Sequence, residues 1–306
     1  MSSLVVKDNT LIQASYTLDT AEQRLILLAI AEARETGKGI TANSLLSIHA
    51  SSYINTFHVE KNTAYEVLKT ASKSLFDRYV TYHDINPITQ HDRSFHCRWV
   101  DKIGYEDKSG IVFMRFTKDI VPLITRLEEN FTKYELQQIS RLTSAYAIRL
   151  YELLIQWRTV GKTPIIDLTI FRGQLGVEET QYKTMSNFKR FVLDFALTQV
   201  NEFTDIKAQY EQHKTGRIIT GFSFKFKSKV KKLNTPPQKE KDDFINFSEK
   251  QLKFYANKLS KLNELSHMAP VGGGYEDFEN KISEMLKDQE KQKVFIPYLK
   301  KLSLIK

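Results

Sequence analysis

The sequence has 306 residues, of which 41% are hydrophobic and 11% aromatic, and its formal net charge is +9. This composition excludes a largely disordered protein, and the length suits two compact domains with a small appendage. The sequence lacks an apolar run near the roughly 18 to 20 residues that cross a bilayer, and its first residues lack the layout of a signal peptide. The single Cys97 excludes an internal disulfide and a thiolate zinc cluster. These features predict a cytoplasmic protein without membrane contact.

The positive charge is concentrated in one segment. Residues 182–233 carry 11 basic and 4 acidic side chains, so these 52 residues hold +7 of the net +9. A local basic excess is typical of a surface that binds a polyanion, and solvated lysines on an ordinary surface are the alternative.

The first third of the chain predicts helices followed by strands. Apolar residues at helical spacing predict a helix over 18–34, with Asp19 or Thr20 as its N-cap. A short helix is predicted within ANSLLSIHA (42–50), and a second long helix begins at Asn62 or Thr63 and extends to residue 79. The period then changes to two, which predicts strands in VTYHD, FHCRWV and IVFMRF, the last of them after the turn EDKSG.

The second third repeats this order. The predicted elements are a helix over 133–159 that ends near Gly161, a short element at 167–176, a helix over 181–203, and strands at 205–210 and 217–226. A shift of 125 residues places Arg24, Leu25, Leu28, Leu68 and Ala71 on Arg149, Leu150, Leu153, Leu193 and Ala196. The matching order of elements is stronger evidence for a repeat than these few identities. Together they indicate two copies of one small α+β unit.

Helix, short helix, helix and β-hairpin is the order of a winged helix-turn-helix domain, whose third helix enters the DNA major groove. In helix 181–203, Phe188, Val192 and Phe195 are spaced to pack onto helix 133–159, while the first turns present polar groups. The side chains predicted to face DNA are Lys183, Thr184, Ser186, Asn187, Lys189 and Arg190. Arg190 is the best candidate for base readout, because a guanidinium can bond guanine O6 and N7; a solvated arginine is the alternative.

The hairpin that follows contributes further basic residues. KFKSKVKK (225–232) contains five lysines and is predicted to touch phosphates along the wing, with a solvated strand end as an equally weighted alternative. The predicted contacts of the hairpin are Arg217, Lys225, Lys227 and Lys229.

The last part of the chain predicts a linker and a helical tail. NTPPQKEKDD (234–243) pairs prolines with mixed charge, and two helical segments follow, separated by APVGGG. This tail either packs back on the chain or binds a partner. The predicted fold is therefore α+β, with two tandem winged-helix domains (1–127 and 128–233) and a linker with a short helical C-terminal tail (234–306).

The sequence motifs that resemble those of enzymes are incomplete. GKT (161–163) lacks the first glycine of a phosphate loop, since Gln156 stands there, and it indicates a helix stop. No histidine pair has zinc-binding spacing, and the histidine pair that a rolling-circle nickase needs is also absent from the sequence. Neither a metal nor a cofactor is predicted.

Four segments resemble the initiator Rep proteins of iteron-containing plasmids (the RepB, RepE and pi type). They are YTLDTAEQRLILLAI (16–30), AYEVLKTASKSLFDR (64–78), SAYAIRLYELLIQW (144–157) and NFKRFVLDFALTQVNEFTDI (187–206). The resemblance spans about residues 14–228, and its specificity comes from the order and separation of the four segments.

This resemblance implies a protein that binds directly repeated origin sites (iterons) as a monomer, opens adjacent AT-rich duplex, and recruits host helicase and initiator proteins. It also implies a homodimer, joined through the first domain, that binds an inverted repeat over its own promoter and represses it. Helix 181–203 would be the main DNA reader, and helix 62–79 its first-domain counterpart. The contacts implied in the first domain are Lys61, Asn62, Lys69 and Lys73.

The predicted function is thus a sequence-specific, DNA-binding replication initiator without catalytic activity. A dedicated transcriptional repressor is a rival within the same class. A nicking relaxase would cleave supercoiled DNA with a metal ion, and a structural partner-binding protein would show no salt-sensitive DNA binding.

Overall fold

The computed structural model describes residues 3–35, 40–86, 88–125, 130–229, 247–270 and 274–302. They belong to two compact units, Met1–Lys231 and Lys232–Lys306. Within the described ranges, every helix is too short or too polar to cross a bilayer.

The first winged helix occupies the start of the larger unit. Its elements are β1 (Leu4–Asp8), α1 (Asn9–Gln13), α2 (Thr20–Glu35), β2 (Leu46–His49), α3 (Ala50–Phe57), α4 (Lys61–Ser74), β3 (Tyr79–Ile85), β4 (Asp92–Arg98), β5 (Val100–Glu106), β6 (Ile111–Phe116) and α5 (Val121–Thr125). An antiparallel sheet has the order β2-β6-β5, and β3 and β4 form a separate hairpin. The strands predicted at VTYHD and IVFMRF and the helix over 18–34 are confirmed.

Three details of this domain differ from the prediction. The strand predicted over FHCRWV (95–100) is interrupted at Trp99, so its residues are divided between β4 and β5. The short helix expected at 42–50 is wrong, because Leu46–His49 is a strand that pairs with β6 and α3 begins only at Ala50. Its strand partner lies more than 60 residues away, which local spacing cannot reveal. The cap of α4 is Glu60, whose carboxylate accepts a bond from the Thr63 amide at 3.0 Å. Asp19 caps α2 as predicted, by accepting from the Glu22 amide at 2.7 Å.

The second winged helix repeats the topology of the first. Its elements are β7 (Phe131–Glu135), α6 (Ala145–Ile155), β8 (Ile166–Asp167), α7 (Leu168–Gln174), α8 (Met185–Phe188), a π-helical turn (Lys189–Leu193), α9 (Asp194–Phe203), β9 (Ile206–Thr215) and β10 (Ile218–Ser228). The sheet order β8-β10-β9 is equivalent to β2-β6-β5. The segments α8, the π-turn and α9 are continuous, and together they form the composite helix (185–203). Phe222, Phe224 and Phe226 alternate into the core, as the sequence predicts.

The helix predicted over 133–159 is wrong in its first part. Residues 131–135 form β7, which pairs antiparallel with β1 so that Leu4 lies opposite Glu135. Thr132 and Tyr134 are buried while Phe131 and Lys133 are exposed, a period of two that pairing with β1 enforces. The helix itself begins at Ala145.

The two winged helices share this small β1–β7 sheet and one continuous hydrophobic core. The residue positions aligned by the 125-residue shift lie in α2 and α6 and in α4 and the composite helix, and all ten side chains are buried. The boundary predicted at 127/128 lies outside the described residues, as does the one at 233/234.

Two equivalent arginines join the domains reciprocally. Arg24 of the first domain donates to the carbonyl oxygen of Leu142 at 2.8 Å. Arg149 of the second donates to the carbonyls of Ile12 and Ala14 at 2.8 and 2.9 Å. Because each guanidinium satisfies backbone of the other domain, the contacts hold the two third helices in a fixed relation.

A buried ionic cluster, here termed the interdomain cluster, reinforces this junction. Glu152 accepts from Lys7 at 2.7 Å, from Tyr134 at 2.6 Å and from Arg149 at 2.9 Å, and Arg149 also donates to the Tyr16 hydroxyl. Burial opposes ionisation of Glu152, but the charges of Lys7 and Arg149 and the hydrogen bonds outweigh it and hold its pKa below the ordinary value. The carboxylate is therefore charged and shared between the domains.

The smaller unit contains α10 (Glu249–Leu259), α11 (Tyr275–Met285) and α12 (Gln289–Lys301). Its helices enclose their own apolar cluster, whose buried members include Leu252, Leu259, Ile282, Phe295 and Leu299. The tail therefore packs on itself. The linker predicted at 234–243 lies outside the described residues.

Candidate nucleic-acid interface

The composite helix begins later than the sequence predicts. Tyr182 adopts a left-handed conformation with φ of 43°, and Thr184 is the N-cap, whose hydroxyl accepts from the Asn187 amide at 3.4 Å. Lys183 therefore precedes the helix, and the hydroxyl of Thr184 is engaged in capping. The helix 181–203 is confirmed from residue 185 onwards.

Arg172, on α7, holds the entry to this helix. Its guanidinium donates to the carbonyl oxygens of Gln181 and Tyr182 at 2.6 and 3.2 Å, and it lies 4.9 Å from the ring centre of Phe188. These contacts fix the chain just before the N-cap, and Phe188 anchors the first turn in the core. Sequence reasoning missed Arg172, because nothing in its spacing distinguishes it from a solvated arginine.

The first turns of the composite helix leave polar side chains accessible. Lys183, Thr184, Ser186, Asn187 and Arg190 are exposed, and Lys189 is half-buried. Lys183 and Arg190 form no ion pair with any residue the structure describes. The free amides and positive dipole end of a helix N-terminus favour anions, so this surface can take a phosphate or a base edge.

The π-helical turn changes which face of the helix is buried. Phe188 and Val192 lie in the core as predicted, but Phe195 is 49% exposed, so its predicted packing is wrong. Because a π-turn inserts one residue per turn, the buried face shifts to Leu193 and Ala196. Such turns occur frequently at functional sites, and this one contains both Lys189 and Arg190.

The wing runs beside these turns. Lys189 donates to the side chain of Gln212 at 3.4 Å and lies over the ring of Tyr210, so the start of the composite helix contacts the middle of the hairpin. The wing extends beyond this contact to the turn at Gly216, where Arg217 is exposed. A third helix flanked by a projecting wing is the arrangement that a winged helix uses on DNA.

The predicted lysines of β10 lie towards the other end of the hairpin. Lys225 pairs with Glu211 at 2.6 Å, and Lys227 is exposed. The ammonium of Lys229 donates to the carbonyl of Thr204 at 2.7 Å, at the end of α9, and burial lowers its pKa. At about 3.3 Å per residue, these lysines are roughly 20 to 30 Å from the tip. Residues 230–232 of the predicted run lie outside the described residues.

In the first domain, Lys61, Asn62 and Lys73 are exposed on α4. Lys69 differs from them, because its ammonium pairs with Asp107 of the β5–β6 turn at 2.7 Å. Gly110 in the same turn has a φ of 62°, and a Cβ there would lie 2.3 Å from the Tyr65 ring of α4. The turn and α4 thus pack in contact.

The described residues do not favour metal binding or thiol chemistry. No group of three or more His, Cys, Asp and Glu residues there could hold a metal ion. Burial, assisted by Asp119, raises the pKa of Cys97 to about 11, which keeps the thiol protonated at neutral pH.

Comparisons with known proteins match both domains. A family model described as "Initiator Replication protein, WH1" matches residues 4–155, and one described as "Initiator Rep protein, WH2" matches residues 167–226. A 27.6 kDa protein of Escherichia coli is 25% identical over 70% of this chain and 92% of its own length. A replication initiation protein of Escherichia coli is 26% identical over 68% of this chain and 65% of its own length.

The fold also matches a solved structure, that of the Pi initiator protein in complex with iteron DNA. The TM-score is 0.58 at 20% identity, covering 74% of this chain and 97% of that one. At this identity the likeness concerns the fold alone, and it agrees with two winged-helix domains in tandem. The two family matches, in chain order, show that the chain belongs to the Rep-type initiators of plasmid replication.

Proposed function

We propose that this initiator binds directly repeated sites at a plasmid origin and reads each site mainly with the composite helix. The observation that carries this proposal is the exposed polar surface of the first turns, beside the wing, where Lys183 and Arg190 form no ion pair with any described residue. Asn187 and Arg190 would read base edges, and Arg217 and the helix N-terminus would bind phosphate. That the solved Pi initiator structure contains iteron DNA supports this assignment.

The first domain would act as the auxiliary reader. Lys61, Asn62 and Lys73 of α4 would contact the neighbouring groove, with Lys69 contributing once it leaves Asp107. The reciprocal arginines and the interdomain cluster would hold both readers on one face of the duplex. The boundaries between the domains would fall at residues 127 and 233. The protein would be located in the cytoplasm.

The first domain would also form the homodimer. Within the described residues, β4 has a strand neighbour on one side only, which is β3. Phe95 on β4 is 37% exposed and stacks on Tyr82 with ring centres 5.4 Å apart. An open edge with apolar side chains is suited to pairing with a second copy. Light scattering should then show a dimer that Phe95→Lys converts to a monomer.

Duplex bending would supply part of the energy that opens adjacent AT-rich DNA, after which host helicase and initiator proteins would be recruited. Binding of dimers to an inverted repeat would repress the promoter. These steps require no catalysis by the chain itself. Incubation with supercoiled DNA and Mg²⁺ should therefore leave the DNA intact.

Footprinting on the DNA that flanks the gene tests the proposal. Directly repeated protected sites, together with maintenance of a plasmid that carries them when this protein is supplied, would support an origin initiator. Protection of one inverted repeat alone, without plasmid maintenance, would instead favour a dedicated repressor. Absence of salt-sensitive, sequence-dependent binding would contradict both.

A further inference from the structure

The outer face of the β8–β10–β9 sheet carries a cluster of lysines in opposed pairs. Lys207 lies directly opposite Lys227 in the β9–β10 register, and Lys162 forms a bridge to Lys225. All four are exposed, and they line one concavity of about 650 Å³ together with Phe226 and Ala208. This group is termed the lysine cluster.

The charge of this cluster is poorly compensated. Lys225 pairs with Glu211, whereas Lys162, Lys207 and Lys227 form no ion pair with any residue that the structure describes. Like charges directly opposite one another destabilise a sheet. Lys207 and Lys227 form such a pair without a counter-charge, and Lys162 lies at the same concavity, so an anion bound there would be stabilising.

The cluster is separate from the surface that faces DNA in the proposed function. Phe222 and Phe224 point to the inner face of the sheet, where Phe222 lies 6.2 Å from Phe188 of the composite helix. The lysines project from the opposite face, because side chains alternate along a strand. They also lie near the base of the hairpin, away from Arg217 at its tip.

We propose that the lysine cluster is a second phosphate-binding site, which holds the backbone of duplex DNA outside the segment read by the composite helix. The cluster offers ammonium point charges, and it has no planar guanidinium fork for reading base edges. Such a surface suits a repeated phosphate array without sequence preference. This inference rests on the proposed function, since that function brings DNA to this domain.

Charge removal on the two surfaces separates them experimentally. The variant Lys162→Gln/Lys207→Gln removes two unpaired charges of the cluster, and Lys214→Gln/Arg217→Gln, which removes the same number of charges, serves as the matched control at the wing tip. Each is titrated with a short duplex that contains one protected site, and with the same site extended by two helical turns on both sides. A mixture of the short duplex and a separate labelled duplex tests whether the second DNA segment can come from another molecule.

The cluster variant should bind the short duplex as the parent does. On the extended duplex it should lose about tenfold in affinity. The slope of the logarithm of the binding constant against the logarithm of the salt concentration should become shallower by about 0.9 for each lost phosphate contact. The tip variant should weaken binding to both. A ternary complex that the parent forms with the separate duplex, and the cluster variant does not, would also support the site.

Two results would overturn the inference. Unchanged binding to both duplexes would make these lysines an ordinary solvated surface, and equal loss on both would make them part of the reading surface. If the parent lacked sequence preference, the proposed function would fail on its own. The salt dependence on a long duplex of random sequence would then still test the cluster. Thermal melting without DNA should show the variant at least as stable as the parent, because opposed like charges are removed.

Discussion

The two winged helices have the same strand order, but the N-caps of their third helices differ in charge. The cap of α4 is the carboxylate of Glu60, and hydrogen bonds from the amides of Thr63 and Asn62 lower its pKa. The cap of the composite helix is the neutral Thr184. The helix terminus of the first domain therefore already holds a negative charge, whereas the cap in the second domain is uncharged and leaves the positive end of the helix dipole without a counter-charge.

The basic side chains of the two helices differ in the same sense. Lys69 of α4 pairs with Asp107, while Arg190 of the composite helix has no ion pair with a described residue. Equivalent folds thus carry unequal reading surfaces, and the second domain is the better equipped to bind DNA. Substitutions in the two third helices test this inequality, and substitutions at the junction test how the domains are joined; the largest effect is expected at the junction and the smallest at the cap of α4.

The largest effect is expected at the domain junction. Glu152→Ala should lower the free energy of unfolding by about 3 to 5 kcal/mol, because it leaves Lys7 and Arg149 buried without a counter-charge. Denaturant titration measures this loss. The control is Glu211→Ala, which breaks the exposed pair with Lys225 and should lower the free energy of unfolding far less, because solvent screens an exposed pair. Similar values for the two variants would show that the interdomain cluster does not join the domains.

The same carboxylate gives stability a pH dependence. Because the folded-state pKa of Glu152 is lowered, its contribution is present above the ordinary glutamate pKa and is lost as the pH falls through the lowered value. We expect unfolding to become easier below about pH 4.5. A smaller acid-dependent loss in Glu152→Gln than in the parent would support the assignment, and identical curves would contradict it.

The second-largest effect is expected in DNA binding, where the third helices of the two domains should contribute unequally. Arg190→Ala should weaken binding to the cognate site by about 1 to 3 kcal/mol, since it removes a predicted base contact. Lys69→Ala should weaken binding less, because Lys69 is held by Asp107. Gel-shift titrations of both variants on one duplex give the comparison. A larger loss for Lys69→Ala would reverse the assignment of the main reader.

A third effect should come from a residue that touches no DNA. Arg172→Ala frees the carbonyls of Gln181 and Tyr182 and should weaken DNA binding by about 1 to 2 kcal/mol. Arg172→Lys keeps the charge but not the forked geometry, so it should recover only part of the affinity. Unlike a lost phosphate contact, this loss should leave the salt dependence unchanged. A reduced salt slope would instead make Arg172 a direct contact.

The sequence predicts the fold well where the periodicity is local. The period of two in residues 222–226 identifies a strand, and the apolar spacing of residues 18–34 identifies α2. It fails at β7, whose partner β1 lies about 125 residues earlier in the chain. The π-turn is also invisible in the sequence, and the face that is buried after it includes Leu193 and Ala196 and leaves Phe195 exposed.

The candidate site was predicted in composition but not in arrangement. Residue type and spacing indicate the donors on the composite helix, because their polarity contrasts with the buried Phe188. Residue type and spacing cannot indicate that the Lys229 ammonium binds the carbonyl oxygen at the end of α9. They also cannot indicate that Lys225 and Lys227 lie away from the wing tip, because both placements depend on strand register. Arg172 acts only through contacts that form in three dimensions.

The smallest effect is expected at the cap of α4. Glu60→Thr gives the first domain the neutral cap found in the second, so it should modestly strengthen DNA binding and steepen its salt dependence. Thr184→Glu is the reciprocal change and should weaken binding. Gel shifts at two salt concentrations measure both. Weaker binding by Glu60→Thr would show that the carboxylate is not what limits the first domain.

The central claim is that the start of the composite helix reads base edges. Its most direct test measures the affinity of the parent and of Arg190→Ala for a panel of duplexes in which each base pair of the protected site is changed in turn. We expect the variant to lose its preference at one G·C pair and to keep the others. A uniform loss across the panel, or an unchanged preference at every position, would contradict the account.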